Sequence, residues 1–87
     1  MNETDILKKI YFVKAGDRIG QFLIFVEFNK EKKMYSALGV PESEVLYIGQ
    51  NDIEKALAYK ALEYVETLPT DVFNECKREF KHREKSK

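Results

Sequence analysis

Cys76 and His82 are the residues whose chemical types point most directly to catalysis, because a thiol beside an imidazole is a known nucleophile and base pair. They are the one cysteine and the one histidine in the sequence, and they lie six residues apart in a segment predicted to be helical. Six steps along a helix direct two side chains about 120° away from each other. Cys76 also falls on the predicted apolar stripe of that helix, where we expect it to pack as a small hydrophobic residue. The sequence therefore predicts no catalytic dyad and no enzyme.

Metal and phosphate sites are not predicted either. A single cysteine, a single histidine and scattered carboxylates give none of the spacings typical of zinc or iron sites, so we expect no cofactor. The glycines at 16 and 20 lie between two predicted strands, whereas a phosphate-binding loop follows a strand and opens a helix. We predict a hairpin loop there, with Arg18 at its tip.

The C-terminal end differs in charge from the rest of the chain. Residues 77–87 contain six basic and two acidic residues, a net charge of +4, whereas residues 1–76 contain nine basic and thirteen acidic residues, a net charge of −4. One interpretation is a helix whose last turns complement the helix dipole and then fray. The alternative is single-stranded nucleic-acid binding, with Tyr11, Phe25 and Tyr35 stacking on bases. The cationic residues of that alternative are Arg18, Lys77, Arg78, Lys81 and Arg83.

The segment Gln21–Asn29 has the strongest strand pattern of the chain. It is rich in aromatic and β-branched residues, contains no Gly or Pro, and is bounded by turn-forming residues. Neighbouring segments 9–15 and 34–38 show a similar pattern and predict an antiparallel meander. Residues 45–48 predict either a fourth strand or an extended segment along the sheet edge.

Two helices are predicted after the strands. The first runs from Asn51 to Leu68, with Asn51 and Glu54 at capping-box spacing and Pro69 ending it. Thr70 is predicted to cap the second helix, whose narrow apolar stripe consists of Val72, Phe73, Cys76 and Phe80. A short helical turn capped by Thr4 is predicted near the N-terminus.

Both faces of the predicted sheet are apolar. If the first helix covers the face that contains Ile24 and Val26, the opposite face is left towards water. That opposite face is our predicted partner-binding surface, and it consists of Tyr11, Val13, Leu23, Phe25 and Tyr35, with Ala37 beside them. The alternative is that the second helix, or residues 45–48, folds over this face and buries it.

Length and composition set the class of protein. Eighty-seven residues with 44% hydrophobic and 34% charged content predict a single α+β domain over 1–87: three or four antiparallel strands, then two C-terminal helices, the first packed on the sheet. The apolar run Phe22–Val26 is too short to cross a membrane, and a lone cysteine suits a reducing compartment, so we expect a cytoplasmic protein. A formal net charge of zero argues against a dedicated nucleic-acid binder.

The predicted function is a non-catalytic protein-binding module that regulates or inhibits a partner by occlusion or scaffolding. The partner is either another protein or a second copy of the chain. Small single-domain regulators and inhibitors encoded by phages and mobile elements fall in this size class. No motif in the sequence identifies a family.

Overall fold

The computed structural model describes residues 6–86, which form one antiparallel sheet and two helices. The strands and helices, in chain order, are β1 (Lys9–Val13), β2 (Phe22–Asn29), β3 (Met34–Val40), β4 (Glu44–Gly49), α1 (Gln50–Ala58), β5 (Leu62–Thr67) and α2 (Thr70–Lys85). The predicted α+β class, antiparallel sheet and pair of helices are confirmed. The described chain has five strands, however, where three or four were predicted.

The first four strands form the predicted meander, and the fifth lies on the far side of it. The spatial order is β4-β3-β2-β1-β5, with every neighbouring pair antiparallel. Residues 45–48 belong to a true strand, β4, which pairs with β3. The chain then crosses from the β4 edge to the β1 edge by way of α1, so the sheet ends in β4 on one side and β5 on the other.

The predicted long helix over residues 51–68 is wrong, because its second half is β5. α1 ends in a Schellman arrangement, in which the amide of Ala61 donates to the carbonyl of Ala56 and the amide of Lys60 donates to the carbonyl of Leu57. Lys60 has the positive φ of 60° that this ending requires, a position that usually carries Gly. Since a lysine occupies it, the sequence gives no visible stop signal there.

The predicted helix caps also differ from those observed. Gly49 is the N-cap residue of α1 and Pro69 that of α2, and neither helix start has a side-chain capping hydrogen bond. Asn51 therefore lies inside α1, and Thr70 is the first residue of α2, where its hydroxyl accepts a hydrogen bond of 2.9 Å from the Lys8 ammonium. The predicted cap at Thr4 lies outside the described residues.

A β-bulge changes which face of β2 each side chain occupies. Phe25 pairs with Ala37 and Glu27 pairs with Ser36, so Val26 is the extra residue. Strict alternation places Phe28 beside Ile24 and Val26, but the bulge moves it to the other face. There it packs on Tyr35, with ring centroids 4.5 Å apart.

Each face of the sheet is covered by one helix. On one face, the α1-side core contains Ile6, Tyr11, Val13, Leu23, Phe25, Tyr35, Ala37, Leu46 and Ile53. On the other, the α2-side core contains Ile24, Val26, Val45, Leu68 and Phe80, with Phe73 and Cys76 packed against it. The first helix thus lies on the face predicted to be open, and the second helix covers the face assigned to the first.

Candidate binding surfaces

The residues predicted to contact a partner are buried in the α1-side core. Tyr11, Val13, Leu23, Phe25 and Tyr35 are each at most 6% exposed. The Phe25 ring lies edge-on to Tyr11 and to Tyr35, with centroid separations of 5.6 and 5.8 Å. The expectation that this face meets water is wrong, because α1 and the segment before β1 cover it.

Side chains from two segments bury this face of the sheet. Ile53 of α1 and Ile6 before β1 are both 1% exposed and belong to the same core. The elements predicted as a possible cover, the second helix and residues 45–48, are the wrong ones, because Ile53 of α1 was predicted to lie on the other side of the sheet. The base-stacking role suggested for Tyr11, Phe25 and Tyr35 has the same difficulty, because their rings are enclosed.

Cys76 and His82 lie on opposite sides of α2. The thiol is partly buried against the α2-side core, and burial raises its pKa above the ordinary value, with a smaller contribution from the Glu75 carboxylate. His82 is exposed on the outer side of the helix. The described residues also include no group of three or more His, Cys, Asp and Glu side chains that could hold a metal ion.

The five basic residues named for nucleic-acid binding do not form one surface. Arg18 lies in the β1–β2 loop, 2.6 Å from the Glu44 carboxylate, and Arg83 lies 2.6 Å from Glu79 on its own helix. Lys77, Arg78 and Lys81 do lie together. His82 and Lys85 join them around a shallow depression of about 420 Å³, and we call these five residues the basic stripe. The helical spacing of 77, 78, 81, 82 and 85 is the signal that identifies the stripe.

β5 provides a surface that was not predicted from the sequence, because these residues were expected to be helical. β5 is the last strand of the sheet, and its neighbour among the described residues is β1 alone. Residues 63–67 are all exposed, and Tyr64 and Val65 are 52% and 45% exposed. An edge strand of this kind presents backbone N–H and C=O groups that can pair with another chain.

The side chains of β5 are held in place by their neighbours. The Tyr64 ring lies edge-on to Tyr11 at 6.0 Å, and the Lys9 ammonium lies 5.9 Å from its centroid. The Tyr64 hydroxyl and the Thr67 hydroxyl are hydrogen-bonded at 2.8 Å. A bulge at Val65 interrupts the pairing with β1. The exposed surface of β5 is therefore ordered by contacts with β1.

A polar cleft of about 450 Å³ lies where the end of α2 meets the sheet. The Tyr47 hydroxyl donates a hydrogen bond to the Glu84 carboxylate, and this bond raises the pKa of Tyr47 above its usual value of 10.0, with smaller contributions from burial and from the negative charges of Glu84 and Glu27. The Lys81 ammonium lies 3.5 Å from Glu27. These contacts join the last turns of α2 to β2 and β4.

Comparison with known proteins assigns no family to this chain. No family model matches the sequence, and neither curated proteins nor solved structures give a significant match.

None of the helices in the described part of the chain is long and apolar enough to cross a bilayer.

Proposed function

We propose that this chain is a non-catalytic protein-binding module whose contact surface is the outer edge of β5. The observation that supports this is the exposure of residues 63–67, five of the six residues of the strand, at the end of the sheet. An extended segment of a partner adds to such an edge by main-chain hydrogen bonds, and pockets for alternate side chains give the specificity. The chain acts as a regulator or inhibitor by occluding or scaffolding the segment that it binds.

The opposite edge of the sheet is less suited to this role. Val45 and Leu46 of β4 are buried, and the Tyr47 hydroxyl is bound to Glu84 of α2. β4 also continues directly into α1, which begins at Gln50. A partner strand therefore has more accessible backbone along β5.

The side chains of β5 define the chemistry of the partner. Glu63 and Glu66 flank Tyr64 and Val65. The strand therefore offers one carboxylate on each side of an aromatic and an aliphatic group. The Glu63 carboxylate lies 3.7 Å from the Lys14 ammonium, but both side chains are about half exposed and the pair is weak. We therefore propose an extended segment that has apolar residues between two basic ones.

A second copy of the chain is a less suitable occupant. Antiparallel pairing of two β5 strands, centred between Tyr64 and Val65, places Glu63 of one copy opposite Glu66 of the other. Like charges directly opposite each other destabilise a strand pair. In that register, the charge pattern of the strand favours a different protein over a homodimer.

The experiment uses selection of peptides from a random display library on the immobilised protein, followed by hydrogen exchange of the complex. We expect the selected peptides to be basic and to slow exchange of the β5 amides at residues 62–67. Val65→Lys, which adds a positive charge to the edge, is expected to weaken binding by at least about tenfold. The matched control is Val72→Lys on α2, a position of similar exposure, at 38% against 45%, and it is expected to leave binding unchanged.

Two results would contradict the proposal. One is protection of amides elsewhere with none in β5. The other is equal weakening by Val65→Lys and Val72→Lys, which would show that added positive charge, and not the strand edge, decides binding. A concentration-dependent dimer in light scattering that Val65→Lys disrupts would identify a second copy as the occupant and would overturn the choice of a different protein.

A further inference from the structure

The basic stripe on α2 is a second surface, separate from β5. Lys77, Arg78, Lys81, His82 and Lys85 are all exposed. At about 100° per residue they occupy an arc of roughly 140° on the outer side of the helix. Glu79 and Glu84, the acidic residues of this part of α2, fall outside that arc.

The stripe is partly free to bind an external anion. Arg78 and Lys85 have no salt-bridge partner among residues 6–86. Lys81 is 3.5 Å from Glu27, and the Lys77 ammonium lies 5.5 Å from the centre of the Phe73 ring. Both of these contacts are solvent-exposed or weak, so a strong polyanion can compete with them.

The spacing along the helix is regular. Residues 77, 81 and 85 follow one another at intervals of four, which is about 6 Å along the axis, and 78 and 82 form a parallel row with the same interval. A row of three lysines at this interval, with Arg78 beside it, suits a ligand whose negative charges repeat at a similar distance. The phosphodiester backbone of a nucleic acid has such a repeat.

We propose that the basic stripe binds the phosphodiester backbone of a nucleic acid, without reading its sequence. The stripe carries no exposed aromatic side chain, and the rings once considered for stacking lie in the α1-side core, so contacts to bases are not expected. This surface does not include β5, and the inference is independent of the protein-binding proposal.

Two other anionic partners fit the surface less well. Helices that bind anionic membranes insert an apolar face into the lipid, whereas the apolar face of α2 is occupied by the sheet. An acidic peptide supplies negative charge without the fixed spacing that the row of lysines matches. The net charge of −4 on residues 1–76 also opposes binding of any polyanion away from the stripe.

The test measures fluorescence anisotropy of labelled single-stranded and duplex oligonucleotides with the full chain, over a range of salt concentrations. Contact with three or four phosphates predicts a slope of log K against log salt of about −2 to −4, and affinities near the non-specific range of about 10⁻⁴ to 10⁻⁶ M. The double variant Arg78→Ala with Lys85→Ala is expected to lower affinity by about tenfold or more at low salt and to reduce the slope by about 1 to 2.

The control removes the same charge from other places. Arg83→Ala with Lys30→Ala also lowers the net charge by two, but Arg83 pairs with Glu79 and Lys30 lies in the turn after β2. We expect this control to change affinity by less than about twofold. The folded state of each variant is verified by circular dichroism.

The proposal is overturned if the intact protein binds neither oligonucleotide at low salt, or if the two double variants weaken binding equally. It is also overturned if an acidic polyglutamate peptide or vesicles containing anionic lipid bind more tightly than the oligonucleotides. A difference between single-stranded and duplex probes, with the stripe variant weaker on both, supports the proposal and shows which backbone geometry is preferred.

Discussion

The two faces of the sheet are both covered by a helix, but they differ in what they bury. The α1-side core contains three interlocking aromatic rings, those of Tyr11, Phe25 and Tyr35, and Phe25 is fully buried. The α2-side core is built mainly from aliphatic side chains around Phe80. At its margin Phe22 is 36% exposed, and its ring packs on Phe12 at a centroid distance of 5.0 Å.

This difference indicates that the residues that stabilise the fold and the residues that are proposed to bind partners lie in separate parts of the molecule. The aromatic face is used for folding, because Tyr11, Phe25 and Tyr35 are almost fully buried and leave little surface for a partner. The helix over the other face needs only a narrow apolar stripe, so its outer side is free to carry the basic stripe. Binding surfaces therefore lie outside the two cores, on β5 and on α2.

The largest effect is expected in the α1-side core. Phe25→Ala should lower the free energy of unfolding by about 3–5 kcal/mol, because it removes a fully buried ring from between two others. Stability in this size class is roughly 4–13 kcal/mol, so the loss is a large fraction of the total. Urea denaturation followed by circular dichroism measures the change. Phe22→Ala, at the exposed margin of the other face, is the control and should cost about 1 kcal/mol; equal losses would contradict the comparison.

A smaller effect is expected on the α2 side. Phe80→Ala should cost about 3 kcal/mol, since Phe80 is 1% exposed and lies edge-on to Tyr47 at the margin of its core. The thiol of Cys76 reports the opening of α2, because partial burial raises its pKa and slows its reaction with alkylating reagents. Iodoacetamide should modify Cys76 faster in Phe80→Ala than in the parent chain. An unchanged rate would mean that Phe80 does not hold the helix down.

At the end of α1, a substitution is expected to increase the free energy of unfolding. Lys60→Gly should raise the free energy of unfolding by about 0.5–1 kcal/mol, because Lys60 has a φ of 60° that Gly adopts without strain. Lys55→Gly, inside α1, should lower it by about 1 kcal/mol. Thermal melts of both variants measure these shifts. If Lys60→Gly is destabilising, residues 59–61 do not end the helix in the way described.

The smallest effect is expected where α2 meets β4. Tyr47→Phe should cost less than about 1 kcal/mol, because the hydrogen bond to Glu84 is solvent-exposed. The raised pKa of Tyr47 in the folded chain means that this contribution is present below the unfolded pKa of 10.0 and is lost as pH rises through the folded pKa.

A titration of phenolate absorbance tests the direction of that shift. The difference between the parent chain and Tyr47→Phe should show a phenol that ionises above pH 10.0. A midpoint at or below that value would show that the Glu84 contact is absent in solution.

Local patterns predicted the first three strands and α2 well. β1, β2 and β3 begin within one residue of their predicted starts, and α2 begins at Thr70, the residue predicted as its cap. These segments have strong alternation or a clear breaker such as Pro69, and such signals act over a few residues. The binding surfaces were predicted poorly, since Lys77, Arg78 and Lys81 lie on the stripe but the aromatic contact set is buried.

The failures come from long-range packing. The apolar spacing of residues 62–67 is compatible with either a helix or a strand. Pairing with β1, about fifty residues earlier in the chain, stabilises the strand. The bulge at Val26 is likewise set by the match between β2 and β3, and it moves Phe28 to the other face. No local pattern carries these two pieces of information.

The amino-acid sequence alone determined the class of the fold, the central apolar strand and the separation of charge between the C-terminal end and the rest, because these depend on residue type and short spacing. The tertiary structure alone decided that Leu62–Thr67 is an exposed edge strand, that α1 covers the aromatic face, and that the side of α2 with the basic stripe faces away from the sheet. The physical reason is that burial and strand pairing join residues far apart in the chain, and the free energy of those contacts exceeds the local preferences of each segment.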